Sequence, residues 1–353
     1  MTTASIKASA EDHGVPPREV VRGLDTLRFV TAMWVAFSHG ARFPIDQVLQ
    51  PTGVINKMLY ALVNTTFNGT AAVSVFFVIS GLLIHGGNVG KSRVDMLSFW
   101  TRRAVRIGLP LGVVLILAQV LGGDYGERLS HVLWSVYAEL IYYGLYPFVL
   151  PIIFRFGMGR VLLVSLAISL GMLLLLKPDA LYLWEFGHQL NWLFCAPLWL
   201  MGCYLAENRQ RITAMSRRLP IWGLRLGAVA YCYISTVMLA HMGRFSIGYT
   251  WTIWIFGLFC MVWLAAEIAR GTGKQTIGWM ERFGIAGYSI YLTHPFAVNA
   301  VKQNLTALGP LAHWLAVLAA IGIVTTVFYH AVEWPAHQLA RRLGRRRPAV
   351  KPA

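Results

Sequence analysis

AVRIGLPLGVVLILAQVL, residues 104–121, is the stretch from which the fold follows. Its one charge, Arg106, lies near its start, and Thr101-Arg102-Arg103 comes directly before it. At 1.5 Å per residue such a run covers most of a hydrocarbon core about 30 Å thick. Arginines at one end and none at the other mark a helix that leaves a charged face and stops at an uncharged one. Comparable runs recur near 24–41, 69–85, 131–153, 161–177, 189–206, 221–240, 248–269, 284–300 and 311–333, which makes ten in all.

Composition agrees. Of 353 residues, 56% are hydrophobic and 13% charged, about half the charge of an ordinary soluble chain. Mean hydropathy is +0.56. So few charges cannot cover a soluble surface, and so much apolar residue excludes disorder. The expected fold class is an all-α polytopic membrane protein of about ten transmembrane helices. The longest gap between runs, 42–68, leaves no room for a soluble domain. The expected organisation is a polar, disordered lead over 1–23 that is not a signal peptide, a membrane domain over 24–335, and a basic tail over 336–353.

The chain carries 31 Lys and Arg against 15 Asp and Glu. In a soluble protein a surplus of +16 suggests nucleic acid, but its distribution rules that reading out. The lead, the even-numbered loops and the tail hold 22 of the cations, and the odd loops hold six: Arg42, Lys57, Arg128, Lys177, Arg244 and Lys302. Arg28, Arg106 and Arg225 lie within runs, near their charged ends. Lys and Arg accumulate in cytoplasmic loops, so this alternation predicts both termini inside. The four cysteines (Cys195, Cys203, Cys232, Cys260) lie in apolar runs with neither metal nor disulfide spacing, and read as packing residues.

Ionisable groups within spans are costly, and therefore candidates for function. In LDTLRFVTAMWVAFSHG, 24–40, Arg28 and His39 stand eleven residues apart, which predicts one shared helical face. His39 then lies about 16 Å further along the helix. In LSFWTRRAVRIGLP, 97–110, Arg102, Arg103 and Arg106 cluster where the helix leaves the charged face. They read either as a flank that reaches for lipid phosphate or as bidentate donors for a phosphorylated ligand. In HVLWSVYAELIYYGLYP, 131–147, Ser135, Glu139, Tyr142 and Tyr143 make a polar stripe. In FGIAGYSIYLTHPF, 283–296, Tyr288, Tyr291 and His294 recur every three residues before Pro295. Each of these groups also has a plain reading as interhelical packing. His330 and Glu333, three apart, lack a third metal ligand, so no metal site is expected.

Taken in order, these segments resemble acyltransferase family 3, integral membrane proteins that modify bacterial surface carbohydrates. The resemblance rests on Arg28 and His39, FFVISGLLI at 76–84, Arg103 and Arg106 in FWTRRAVRIGLP, WSVYAELIYY at 134–143, YSIYLTH at 288–294, and VEWP at 332–335. It covers 24–335 and is closest to the stand-alone members, which lack an appended hydrolase-like domain. Two positions depart from it: Ser74 and Leu140 stand where relatives are often acidic.

The resemblance implies transfer of an acyl group, above all acetyl, from cytoplasmic acyl-CoA to a hydroxyl of an exported or lipid-linked glycan at the inner membrane. Arg102, Arg103 and Arg106, with Arg28 as a further phosphate contact, are expected to hold the coenzyme. His39 is expected as general base and Glu139 as the group that orients its imidazole. Ser135, Tyr142, Tyr143, Tyr288, Tyr291 and His294 are expected to line the channel or stabilise an oxyanion. An acyl-histidine intermediate fits the same residues. A transporter or flippase of a glycan or lipid-linked substrate is the alternative, since it also needs polar residues within many spans. Membrane lipids are expected partners, and nucleic acid is not.

Overall fold

The computed structural model describes residues 23–49, 52–241, 249–271 and 278–343. The expected lead and the end of the tail therefore fall outside the described residues. Among those described there is no strand. The helices are α1 (Leu24–Ala36), α2 (Ile45–Val48), α3 (Val54–Thr66), α4 (Gly69–Gly86), α5 (Met96–Arg103), α6 (Leu109–Leu121), α7 (Tyr125–Phe156) and α8 (Met158–Leu176). After these come α9 (Gly187–Glu207), α10 (Arg209–Ser216), α11 (Ile221–His241), α12 (Tyr249–Gly271), α13 (Gly278–Ile285), α14 (Gly287–Asn304), α15 (Pro310–Phe328) and α16 (Trp334–Leu343).

A helix occupies each of the ten predicted runs. Seven stretches are long and apolar enough to cross a membrane: Gly69–Gly86, Met96–Leu121, Tyr125–Phe156, Met158–Leu176, Ile221–Leu239, Tyr249–Gly271 and Pro310–Leu343. The chain is a multi-pass membrane protein. The other three predicted runs differ for physical reasons. α1 has only 13 residues before the helix changes pitch. α9 and α14 carry polar residues, among them Asn191, Ser289, Thr293, His294 and Asn299, all buried. Their polarity faces protein and lowers their mean hydropathy.

The helices sort by burial. The span at Gly69–Gly86 is 72% buried, whereas Met158–Leu176 and Ile221–Leu239 are only 17% buried. α4 is thus a central post and α8 and α11 are peripheral, their Leu and Ile side chains left for lipid. α4 packs on α9 with the two backbones almost touching. A Cβ on Gly81 would lie 1.9 Å from the Trp199 carbonyl oxygen, and one on Gly202 would lie 2.0 Å from that of Val78. Lipid tails are as apolar as leucine, so helices in a bilayer gain chiefly from such close approach. In-span charges are paired in the same spirit: Arg225 meets Glu267 through two bonds of 2.8 and 3.0 Å and stacks over Trp222.

Two helices are interrupted by one π-helical turn each, at Ala104–Gly108 and Tyr329–Glu333, and α1 ends in a third, at Phe37–Ala41. A π turn inserts one residue into the α repeat and re-aims the side chains around it. The three turns carry His39, Arg106 and Glu333. After the Tyr329–Glu333 turn, α16 packs against α5 and the Ala104–Gly108 turn. That helix runs through position 335, the expected boundary, to Leu343.

Candidate active site

Two cavities open towards opposite ends of the bundle, separated by a layer of rings. The larger, about 790 Å³, lies at the end where the Lys- and Arg-rich loops gather. Arg28, Arg103 and Arg106 line it, with Ser135, Glu139, Tyr143, Tyr288, Tyr291, Glu333 and His337. The smaller, about 430 Å³, lies at the charge-poor end and is lined by Ser38, His39, Arg42, Lys302 and Trp314, among others.

In the larger cavity α5 brings Arg103 over the rings of Phe99 and Tyr143, 5.6 and 5.5 Å from their centroids. Arg106, on its π turn, donates through Nε to His337 Nε2 at 2.8 Å. That bond requires His337 Nε2 to be the lone-pair nitrogen. Glu333 is 2% exposed, and its Oε2 accepts from the backbone N–H of Ser289 at 3.0 Å and from the Ser289 hydroxyl. Arg28 pairs with Asp25 at 2.8 Å. Arg102 instead turns to the Ser98 carbonyl, is exposed, and is absent from the lining. Three of the four expected arginines therefore converge, and Arg102 stays outside.

Glu139 does not orient His39. Its carboxylate accepts from Ser80 Oγ at 2.6 Å and from the Tyr143 hydroxyl, and Trp199 Nε1 donates to the same Ser80 oxygen at 3.2 Å. α4, α7 and α9 thus fix the acid within the larger cavity. Tyr142, expected on the same stripe, points away: its hydroxyl donates to the Trp192 carbonyl at 2.6 Å and its ring packs on Phe77 and Trp199. Sequence reasoning passed over Ser80 because it is one small polar residue in the apolar run FFVISGLLI. It passed over His337 although that residue follows Glu333 by one helical turn.

His39 sits on the Phe37–Ala41 turn, where the helix ends with φ −107° at His39 and +109° at Gly40. The α-helical phase that predicted a face shared with Arg28 stops at Ala36, and the two residues line different cavities. His39 Nδ1 lies 2.8 Å from the Val35 carbonyl and 3.2 Å from Ser38 Oγ. A carbonyl only accepts, so Nδ1 carries the proton and Nε2 keeps its lone pair. Nε2 has no hydrogen-bond partner among the described residues.

His294 is fully buried, and its ring centroid is 5.4 Å from that of His39. Its Nδ1 bonds the Ile290 carbonyl at 3.2 Å, which again leaves Nε2 with a lone pair, and this atom is buried without a partner among the described residues. Neutral His294 is therefore an acceptor, not an oxyanion donor. The next ring, Tyr291, lies 6.2 Å from His294, and its hydroxyl is bonded to Ser135 at 2.5 Å and to the Val132 carbonyl at 2.8 Å. Tyr288 likewise gives its proton to the Ile107 carbonyl at 3.1 Å. Ser135, Tyr143, Tyr288 and Tyr291 line the larger cavity, while His294 lies between the cavities.

A histidine with an open Nε2 lone pair thus lines one cavity, and an arginine-lined chamber lies beyond the ring layer. The family model described as an acyltransferase domain, acyltransferase family 3, matches residues 21–331. The chain belongs to acyltransferase family 3. No curated protein and no solved structure matches it. As a family 3 member it is a membrane acyltransferase. The two positions at which it departs from the expected pattern are occupied quietly: Ser74 bonds the Thr70 carbonyl and Leu140 packs against the core.

Proposed function

We propose that the protein moves an acetyl or other short acyl group from cytoplasmic acyl-CoA to a hydroxyl of an exported or lipid-linked carbohydrate, at the bacterial inner membrane. The observation that carries this reading is His39, held by Val35 O with Nε2 unengaged, in the lining of the smaller cavity.

In this reading the basic end is cytoplasmic, both termini are inside and ten helices span the bilayer. The nucleotide phosphates of acyl-CoA meet Arg103, Arg106 and Arg28, whose planar guanidinium groups match phosphate oxygens. The thioester arm extends past Glu139 and Tyr291 towards the ring layer. The acceptor enters the smaller cavity. His39 Nε2 takes the proton from its hydroxyl as the oxygen attacks the thioester carbonyl. Collapse of the tetrahedral intermediate expels the CoA thiolate, which receives that proton. Attack by Nε2 itself, giving an acyl-histidine, uses the same placement. Glu139, on the coenzyme side, positions Tyr143 and, through it, Arg103.

General-base catalysis is worth about 10²–10⁴ in rate. His39→Ala is expected to lower labelled acetyl transfer in nanodiscs by that factor, with acetyl-CoA binding retained. Transfer at the wild-type rate by a folded His39→Ala protein overturns the assignment.

A further inference from the structure

In the sequence the odd loops hold only six of the 31 Lys and Arg, yet two of those six, Arg42 and Lys302, line the small cavity that contains His39. They come from distant parts of the chain, Arg42 just after the π turn and Lys302 from the last turn of α14. Lys302 Nζ stands over the backbone beside the histidine: a Cβ on Gly40 would lie 3.2 Å from it. Gly40, at φ +109°, has no side chain to crowd that ammonium or the Val298 methyl that packs beside it.

Neither cation is neutralised by an ion pair among the described residues. Arg42 makes one long bond, 3.3 Å, to the Asn64 carbonyl. His313 adds a third nitrogen side chain, and Asp46 is the single carboxylate in the lining. Trp314, held by its Nε1 bond to the Ala41 carbonyl at 3.1 Å and packed edge-to-face with Phe43, adds an aromatic ring to the lining, a kind of surface suited to a sugar ring. The volume of about 430 Å³ falls in the range of small-ligand sites, about 300–1,000 Å³. A cation in the last turn of a helix also complements the helix dipole. That accounts for Lys302 but neither for Arg42 nor for the convergence of both on His39.

Building on the acyl-transfer reading, we infer that the acceptor is an anionic sugar, bearing a carboxylate or a phosphate that Lys302 and Arg42 bind while its hydroxyl faces His39. Asp46 remains to take a neighbouring sugar hydroxyl. An acceptor fixed at both points presents one hydroxyl to the base, so the anion site also sets which position is acylated.

The test is binding to the full-length protein in nanodiscs of neutral phosphatidylcholine, by calorimetry, without acyl-CoA. The probes are a trisaccharide ending in glucuronic acid, its carboxyl-reduced glucose counterpart, and the counterpart ending in glucose 6-phosphate. At least one charged probe is expected to bind about tenfold more tightly than the neutral one, which is about 1.4 kcal/mol. The charged probe that shows the preference separates a carboxylate from a phosphate acceptor. Lys302→Met and Arg42→Gln should each remove most of the preference, and Lys302→Arg should keep it. Absence of any charge preference, including no binding of any probe, overturns the inference, as does a preference that survives Lys302→Met. His39→Ala is expected to keep the preference and lose transfer. If it keeps both, the catalytic reading fails and the anion site stands.

Discussion

Replacing Gly81 by alanine tests whether the contact between α4 and α9 is what holds the candidate acid in place. The added methyl would lie 1.9 Å from the Trp199 carbonyl oxygen, so the helices must part by about 1.5 Å to restore an ordinary contact of 3.4 Å. Both neighbours are helical backbone, so no side chain can swing aside. Overpacking of this kind costs about 1–3 kcal/mol, and alanine's better helix propensity returns about 1 kcal/mol at most. The bond from Trp199 Nε1 to Ser80, already 3.2 Å long, is lost first, and Ser80 then no longer aims at Glu139. Thermal unfolding in detergent should show a lower midpoint, and acyl transfer should fall with it. Gly112→Ala is the control: a Cβ there meets nothing within 4 Å, so stability should be unchanged or slightly higher. A Gly81→Ala protein with wild-type melting and wild-type transfer would refute the reasoning, because the backbones would then have room that the structure denies them.

Tyr143→Phe keeps the ring beneath Arg103 and removes one bond to Glu139; a charge-assisted bond is worth about 1.5–3 kcal/mol, so transfer should fall about tenfold or more, and an unchanged rate would mean that the Glu139 network is inert. Glu333→Ala strands the Ser289 N–H and hydroxyl in a buried site, which should cost about 2–3 kcal/mol, read as a lower unfolding midpoint; no shift would contradict the burial described for Glu333. The double variant Arg103→Ala, Arg106→Ala should weaken acyl-CoA binding at least tenfold by titration, and unchanged affinity would remove the phosphate assignment.

The sequence made the helices legible because a membrane span is a one-dimensional feature: length and apolarity suffice, and cations bunch at alternate ends. Arg103 and Arg106 were legible for the same reason, as arginines kept at one edge of an apolar run. The links between residues were less so. Glu139 found its partners on α4 and α7, among them Ser80, 59 positions away, and no periodicity reports a partner at that separation. Tyr142 and Tyr143 are adjacent, so the helix points them about 100° apart, but only the fold shows that one meets the Trp192 carbonyl in the core and the other Glu139 at a cavity. α14 was recognised by its tyrosines and His294, but their roles turned on which carbonyl holds each proton. Lys302 drew no notice as one of six scattered cations, and only the fold shows it beside His39.

The three π turns bear on how such a site can vary. Each is one residue more than an α-helix needs, so the turn absorbs the surplus locally, and deleting that residue would restore the regular pitch while the helix beyond keeps its phase. A single-codon deletion at 104–108 or 329–333 should therefore spare the apolar spans and draw only the side chains of the turn itself, Arg106 or Glu333, away from their present neighbours. Chains that lose a residue at one of these places would still insert in the membrane, as helical bundles without a working centre.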